Sequence, residues 1–458
     1  MRPPRSLGLL GLGAALPLAV SCGPRKDPDA QPDVLLVLVD GLRADRDGRP
    51  GAESALLAAL GDAPRRSFSE AYTQSISPPL ALGSLLTGLY ASAIPLCGYS
   101  DYRHASLSAQ AWCAGMPAER ATLPKALAAY GWRTAFLHAD FLEKEAFAGQ
   151  FEHDFLFPDP EAPHVTPWAA VESEALGWWG QGEQPRLLLL QVEDPMVAAG
   201  EGGDRGPRRP NTPEVVPASY AQAAAEVGQR VAALVARLEQ ASDRPLLVVL
   251  TSPHGLTFQT PRQVRTSVTD LMEAEFLEEP TLHVPLHLFG SAVREAAAFD
   301  TPVEVRAVLP TVLTRAGATL PAGVPALDLL ADDPAAWGEG QAYSEVGDMF
   351  TLRKGRWLLR FRAMIDRGSA LNPDLTAFLQ APVAPDRPSE DDGRFYSLFD
   401  PTDPSAHPRE WGKQEWPAVL ALREAMIAVR TGPGAPAAQA MDPAHLLELR
   451  MTTAQGYW

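Results

Sequence analysis

Four short segments of the chain carry residues able to do chemistry, and three of them follow long apolar runs. Asp40 closes the run 33–39 and opens Asp40-Gly41-Leu42-Arg43-Ala44-Asp45, Glu193 and Asp194 follow 186–192, and His254 stands in Thr251-Ser252-Pro253-His254-Gly255-Leu256, directly after 245–250. The fourth segment is Ser75-Ile76-Ser77-Pro78-Pro79-Leu80, with Ser77 as its candidate. Carboxylates hold hard cations, an imidazole ligates a metal or carries a proton, and a serine hydroxyl becomes a nucleophile once something activates it. Each residue also has an ordinary structural role open to it: Asp40 as a helix cap, His254 hydrogen-bonded in a loop, Arg43 at the surface and Ser77 as a polar loop residue.

These residues can act together only if the apolar runs are strands ending at one edge. The β-branched and leucine runs 33–39, 186–192 and 245–250 have the pattern of strands buried on both faces of a parallel sheet. In open sheets of this kind, ligands collect beyond the carboxyl ends of the strands. Residues 220–240 carry Val227, Val231, Leu234 and Leu238 at helical spacing, so one stripe faces a core. Residues 132–137 read as a strand after a helix-like 123–130, 284–289 as another strand, and 303–318 as a helix ended near Gly317. From about Tyr343 short amphipathic strands, 350–352 and 356–360, precede a helix at 416–429. The expected fold is α/β: a doubly wound, mostly parallel sheet flanked by helices over 33–340, with a small C-terminal α+β subdomain and tail over 341–458. Residues 199–216 read as a Gly/Pro-rich surface loop.

Composition narrows the partners. The chain of 458 residues has 39 Lys and Arg against 56 Asp and Glu, a net charge of −17 that repels polyanions and argues against nucleic acid. Arg2 and Arg5 precede an apolar run from Leu7 to Val20, an export signal too short to span a membrane comfortably. Leu18-Ala19-Val20-Ser21-Cys22 resembles a bacterial lipobox, which would make Cys22 a lipidated N-terminus, residues 23–32 a tether and the protein one of the cell envelope, lipid-anchored or periplasmic. An ordinary cleaved signal is the alternative. Cys97 and Cys113 are the remaining thiols and can form a disulfide after export, or stay as two buried small residues.

In their order along the chain, five segments resemble the sulfatase family of the alkaline-phosphatase-like superfamily, from Asp33 to about Glu410. They are residues 33–45; Ala71-Tyr-Thr-Gln-Ser75 with Ser84-Leu-Leu-Thr-Gly-Leu-Tyr90; 123–135; 246–255; and Phe399-Asp-Pro-Thr-Asp-Pro404. The resemblance implies metal-dependent hydrolysis of sulfate or phosphate esters, with strand-end carboxylates around a divalent cation and an in-line nucleophile. Against that pattern the chain departs repeatedly. Counting back from Ser84, the nucleophile motif of Cys or Ser, any residue, Pro, any residue, Arg falls on Pro78, Leu80 and Leu82; shifted by one it offers Ser77 and Pro79, with Ala81 for the arginine. Asp40 matches the first metal aspartate, whereas Gly41, Pro253 and Leu256 stand where carboxylates are usual, and Asp194-Pro195-Met196 where the family often has Asp-Pro-His. The expectation is therefore a catalytically impaired sulfatase-like protein, a pseudoenzyme. Asp40 and His254 would be the incomplete metal set, and Arg43, Glu193 and Asp194 would be binding residues for an anionic or glycan ligand or a protein partner. The competing expectation is an active sulfuric- or phosphoric-ester hydrolase with a rearranged site that uses Ser77, Glu193 or Asp194 and a divalent cation, Ca or Mg.

Overall fold

A computed structural model describes residues 30–45, 51–94, 96, 115–139, 141–157, 166–195, 198, 218–256, 277, 279–338, 340–346, 349–363, 379–380, 394–399 and 416–432. The expected signal with Cys22, residues 23–29 of the expected tether 23–32, Cys97 and Cys113, Met196, the loop 199–216 and residues 400–410 lie outside them.

In chain order the elements are β1 (Asp33–Val39), α1 (Ala52–Leu60), β2 (Arg65–Phe68), β3 (Ala71–Tyr72), α2 (Pro78–Thr87), α3 (Leu123–Ala128), β4 (Arg133–His138), α4 (Phe141–Ala146), β5 (His153–Leu156), α5 (Trp168–Trp179), β6 (Arg186–Val192), α6 (Ala218–Gln240), β7 (Leu246–Thr251), α7 (Glu279–Leu282), β8 (Leu286–Phe289), β9 (Ala297–Phe299), β10 (Val303–Glu304), α8 (Val308–Ala316), β11 (Gln341–Val346), β12 (Met349–Lys354), β13 (Trp357–Ala363), β14 (Arg394–Phe399) and α9 (Trp416–Thr431). The main sheet has eight strands in the order β5-β4-β6-β1-β7-β8-β2-β9, and β8 alone runs against its neighbours. A two-stranded piece, β10-β3, and an antiparallel sheet, β11-β12-β13-β14, complete the topology. This is the doubly wound sheet with a small C-terminal α+β unit that the sequence pattern calls for.

Burial on both faces explains why the three central strands carry no alternation. In β1, Val34, Leu36 and Leu38 join a core with Leu82 and Leu86 of α2 and Leu309 and Val312 of α8, while Leu35, Val37 and Val39 join a second with Leu56 of α1 and Val231 and Leu234 of α6. The α6 stripe Val227, Val231, Leu234 and Leu238 is fully buried, each side chain contributing about 1.5–3 kcal/mol. Asp33 secures the amino end of the same strands: it accepts from Arg186 N (2.9 Å), Arg186 Nη1 (3.2 Å) and Ser242 Oγ (2.6 Å). A buried carboxylate so paired is structural, and the opposite, carboxyl ends are left for function. Among the described residues no helix is long and apolar enough to cross a membrane.

Two local expectations are corrected. The helix expected at 303–318 begins at Val308, because Val303 and Glu304 pair in parallel with Ala71 and Tyr72 and a single 3-10 turn, Val305–Ala307, separates the two. Asp40 caps no helix, since α1 starts only at Ala52, whereas Ser77 lies in the loop before α2, at its N-cap position and in extended conformation.

Candidate functional site at the carboxyl ends of the central strands

Parallel pairing brings the ends of β6, β1 and β7 side by side: Leu38 pairs with Gln191 on one flank and Thr251 on the other. One step further, Asp40 donates its backbone N–H to Val192 O (2.8 Å) and the chain turns at once, with Leu42 N donating to Val39 O (3.1 Å). The turn puts Gly41 at φ 70°, a left-handed conformation that glycine takes without steric cost. Tyr220 of α6 clamps it, donating its hydroxyl to Gly41 O (2.7 Å) and accepting from Arg43 N (3.0 Å).

The Asp40 carboxylate is only 2% exposed, and its Oδ2 accepts from Gln191 Nε2 at 2.8 Å. Gln191 is fully buried, and neither its Oε1 nor Thr251 Oγ1 has a hydrogen-bond partner among the described residues. Glu193 is buried beside it in sequence. Asp194 serves the connection into α5: Thr166 Oγ1 donates to its Oδ2 and Trp168 Nε1 to its Oδ1 (3.4 Å). Burial pushes the Asp194 carboxyl above the usual aspartate range, opposed by those two bonds.

Across β7, His254 is half-buried and donates Nδ1–H to Gly255 O (2.9 Å), which leaves Nε2 as its basic nitrogen. Burial lowers its pKa below the ordinary 6.5, so the ring is neutral at pH 7. Gly255 is there for closeness: a Cβ would stand 2.1 Å from Pro280 O and 2.9 Å from Arg43 Cβ. The loops after β1 and β7 therefore touch, and α7 with the residue after it ties them together. Thr281 O accepts from Gly255 N (2.9 Å), Leu282 O from Thr73 N (3.0 Å) and His283 O from Ala44 N (3.1 Å). His283 donates Nε2–H to Ser69 O (2.6 Å), lies 3.3 Å through Nδ1 from Glu279 Oε1, and stacks on Tyr72. Burial disfavours its charge, but Glu279 and Glu70 outweigh it and raise the pKa.

Ser77 follows β3 and begins α2. Its backbone N–H donates to Ser75 Oγ (3.3 Å), its carbonyl accepts from Ala81 N (2.8 Å), and no bond from its side chain caps the helix. Pro78 and Pro79 fill the first turn, where a missing N–H costs the helix nothing but removes two donors that an anion at a helix N-terminus would use. Ala81 and Leu82, the residues on the arginine position in the two registers, are buried in the core, so neither register presents a cation.

The donor set does not fit the divalent cation that the resemblance implies. Among the described residues no three His, Cys, Asp or Glu side chains converge on a point. At the three central strand ends the described donors are the Asp40 carboxylate engaged by an amide, Glu193, Asp194 held by Thr166 and Trp168, the His254 imidazole, and neutral oxygens at Gln191 and Thr251. Ca²⁺ takes six to eight oxygens and Mg²⁺ a near-ideal octahedron. Gln191, Tyr220 and His283 were not singled out by sequence reasoning; the signal available for the first was a lone amide in the otherwise apolar run Leu187-Leu-Leu-Leu-Gln-Val192.

No known family model matches the sequence, and no curated protein is similar to it. Solved structures do match the fold. The phosphonate monoester hydrolase SpPMH from Silicibacter pomeroyi is 16% identical, over 87% of this chain and 95% of that one, with a TM-score of 0.56. A 2-O GAG sulfatase is 15% identical over 87% and 91%, with a TM-score of 0.57. Ps i-CgsB, solved in complex with k-i-k-neocarrahexaose, is 15% identical over 93% and 98%, with a TM-score of 0.55. The chain shares the fold of these sulfatases and phosphonate monoester hydrolases.

Proposed function

We propose that this is a sulfatase-like protein of the cell envelope in which ester hydrolysis is impaired, and which acts by binding a ligand or a partner. The observation that carries the reading is the start of α2, where Ser77 is followed by two prolines and the arginine positions of both registers are buried apolar side chains. A nucleophile there would have no cation from position 81 or 82 and lack two backbone donors in the first turn of α2 to stabilise charge on the transferred group. Pro253 and the engagement of Asp194 with Thr166 and Trp168 point the same way. In this reading Asp40, Arg43, Glu193 and His254 are polar remnants of the strand-end cleft. An anionic or glycan ligand is favoured by the fold neighbours, one of which binds a hexaose. Export would follow from the apolar N-terminal run, with acylation of Cys22 holding the domain at a membrane.

The test is an assay of the purified chain, without its signal, on aryl sulfate and on phosphate and phosphonate mono- and diesters, in chelator and with added Ca, Mg, Mn or Zn. No turnover above the uncatalysed rate is expected. Metal-stimulated turnover that Asp40→Ala abolishes would establish the rearranged-hydrolase reading instead.

A further inference from the structure

We infer that the side-chain amide of Gln191 takes the place of a cation at Asp40, so that the carboxyl end of β1 is held together without metal. The inference rests on the reading of Asp40 as a remnant of the strand-end site, and it names what replaced the ion. A carboxylate as buried as Asp40 must be met by donors. In a metal site the ion meets it, at about 2.0–2.6 Å from an oxygen. Here an amide nitrogen meets Oδ2 at 2.8 Å, and such a nitrogen donates hydrogen but has no lone pair for a metal.

Gln191 is well fixed for this task. It is fully buried on β6, between Leu190 and Val192, and its strand is hydrogen-bonded to β1 on one side and β4 on the other. An ion approaching Oδ2 would have to displace the Nε2 donor that already meets it. The amide also explains itself only through Asp40, because every other residue from Leu187 to Val192 is apolar and an apolar side chain would continue the core. Facing it across β1, β7 supplies Thr251 at the same level and then Pro253 where a second carboxylate could have drawn a cation back.

Four proteins test this, each stripped with chelator and then melted with and without millimolar Ca, Mg, Mn or Zn: wild type, Asp40→Asn, Gln191→Glu, and the exchange variant Asp40→Asn/Gln191→Glu. The wild-type melting temperature should stay within about 1 °C, whereas a cation at a hundred times its Kd would raise that of a 458-residue chain by about 3 °C. Gln191→Glu places two carboxylates together; it should melt below wild type in chelator and rise by about 3 °C with cation. The exchange variant rebuilds an amide–carboxylate pair and should recover the wild-type melting temperature and its indifference to metal. A wild-type rise that Asp40→Asn removes overturns the inference, as does a Gln191→Glu protein that melts like wild type and ignores cations. Should Gln191→Glu fail to fold, the exchange variant decides alone: recovery supports the pair, and failure overturns it. Metal-free ester turnover by the wild type would defeat the proposed function and leave this inference standing, whereas a wild-type metal response would defeat this inference whatever the turnover.

Discussion

Replacing Arg306 by methionine should cost about 3–5 kcal/mol, because it breaks an ion pair in the seam between the main sheet and the C-terminal sheet. Arg306 donates through Nε to Glu304 Oε2 (2.6 Å), through Nη1 to Gly88 O (2.9 Å) and through Nη2 to Tyr90 OH (2.8 Å), with its guanidinium 3.9 Å from the Tyr90 ring centroid. Its side chain is 10% exposed and that of Glu304 9%, so solvent screens little of the loss. Methionine keeps most of the stem and deletes the charge, leaving the Glu304 carboxylate, among the described residues, with Tyr90 OH (3.1 Å) and Tyr343 N (2.9 Å) as donors. With an unfolding entropy of about 2.1 cal/mol/K per residue, the 458-residue chain loses roughly 3–5 °C in melting temperature, readable by calorimetry. Adding Glu304→Gln to that variant should return about 1–2 kcal/mol, since the uncompensated charge disappears while an acceptor remains. The reasoning fails if Arg306→Met costs less than about 1 kcal/mol, or if Glu304→Gln lowers the stability of Arg306→Met further. The consequence reaches the candidate site, because the same seam grips the approach to Ser77: Arg306 N donates to Gln74 Oε1 (2.9 Å) and Glu345 N to Gln74 O (2.9 Å).

Two histidines should titrate in opposite senses. His283 has its pKa raised above 6.5 in the fold, so its contribution to stability is complete below pH 6.5 and is lost as pH rises through the raised value; His254 has its pKa lowered, so stability falls as pH drops through 6.5. Ring-proton NMR titration checks both directions, and a His283 pKa below that of His254 would contradict the assignment. Gly255→Ala should destabilise by about 1–3 kcal/mol in denaturant unfolding, because the new methyl meets the Pro280 carbonyl at 2.1 Å and a backbone atom yields little. Gly177→Ala, in the exposed face of α5 with nothing within 4 Å, should instead stabilise by about 0.5–1 kcal/mol. Equal effects from the two glycines would argue against the close approach of the loops after β1 and β7.

The sequence by itself determined the central strands, the long helix and the class of fold, because burial on both faces and a 3.6-residue stripe are written directly in residue type, as in 33–39, 186–192 and Val227 to Leu238. It also determined that Pro253, Pro78 and Leu82 offer no side-chain acceptor, nucleophile or cation wherever the chain puts them. Short elements such as β3 and β10 were not legible, since two residues carry no period and their pairing joins segments more than two hundred positions apart. For the same reason only the tertiary structure decided what the surviving polar residues do. Asp194 and Asp40 are both acidic residues just past a core strand. Thr166 and Trp168 draw the first into the approach to α5, while Gln191, brought beside the second by the pairing of β6 with β1, answers its charge with an amide.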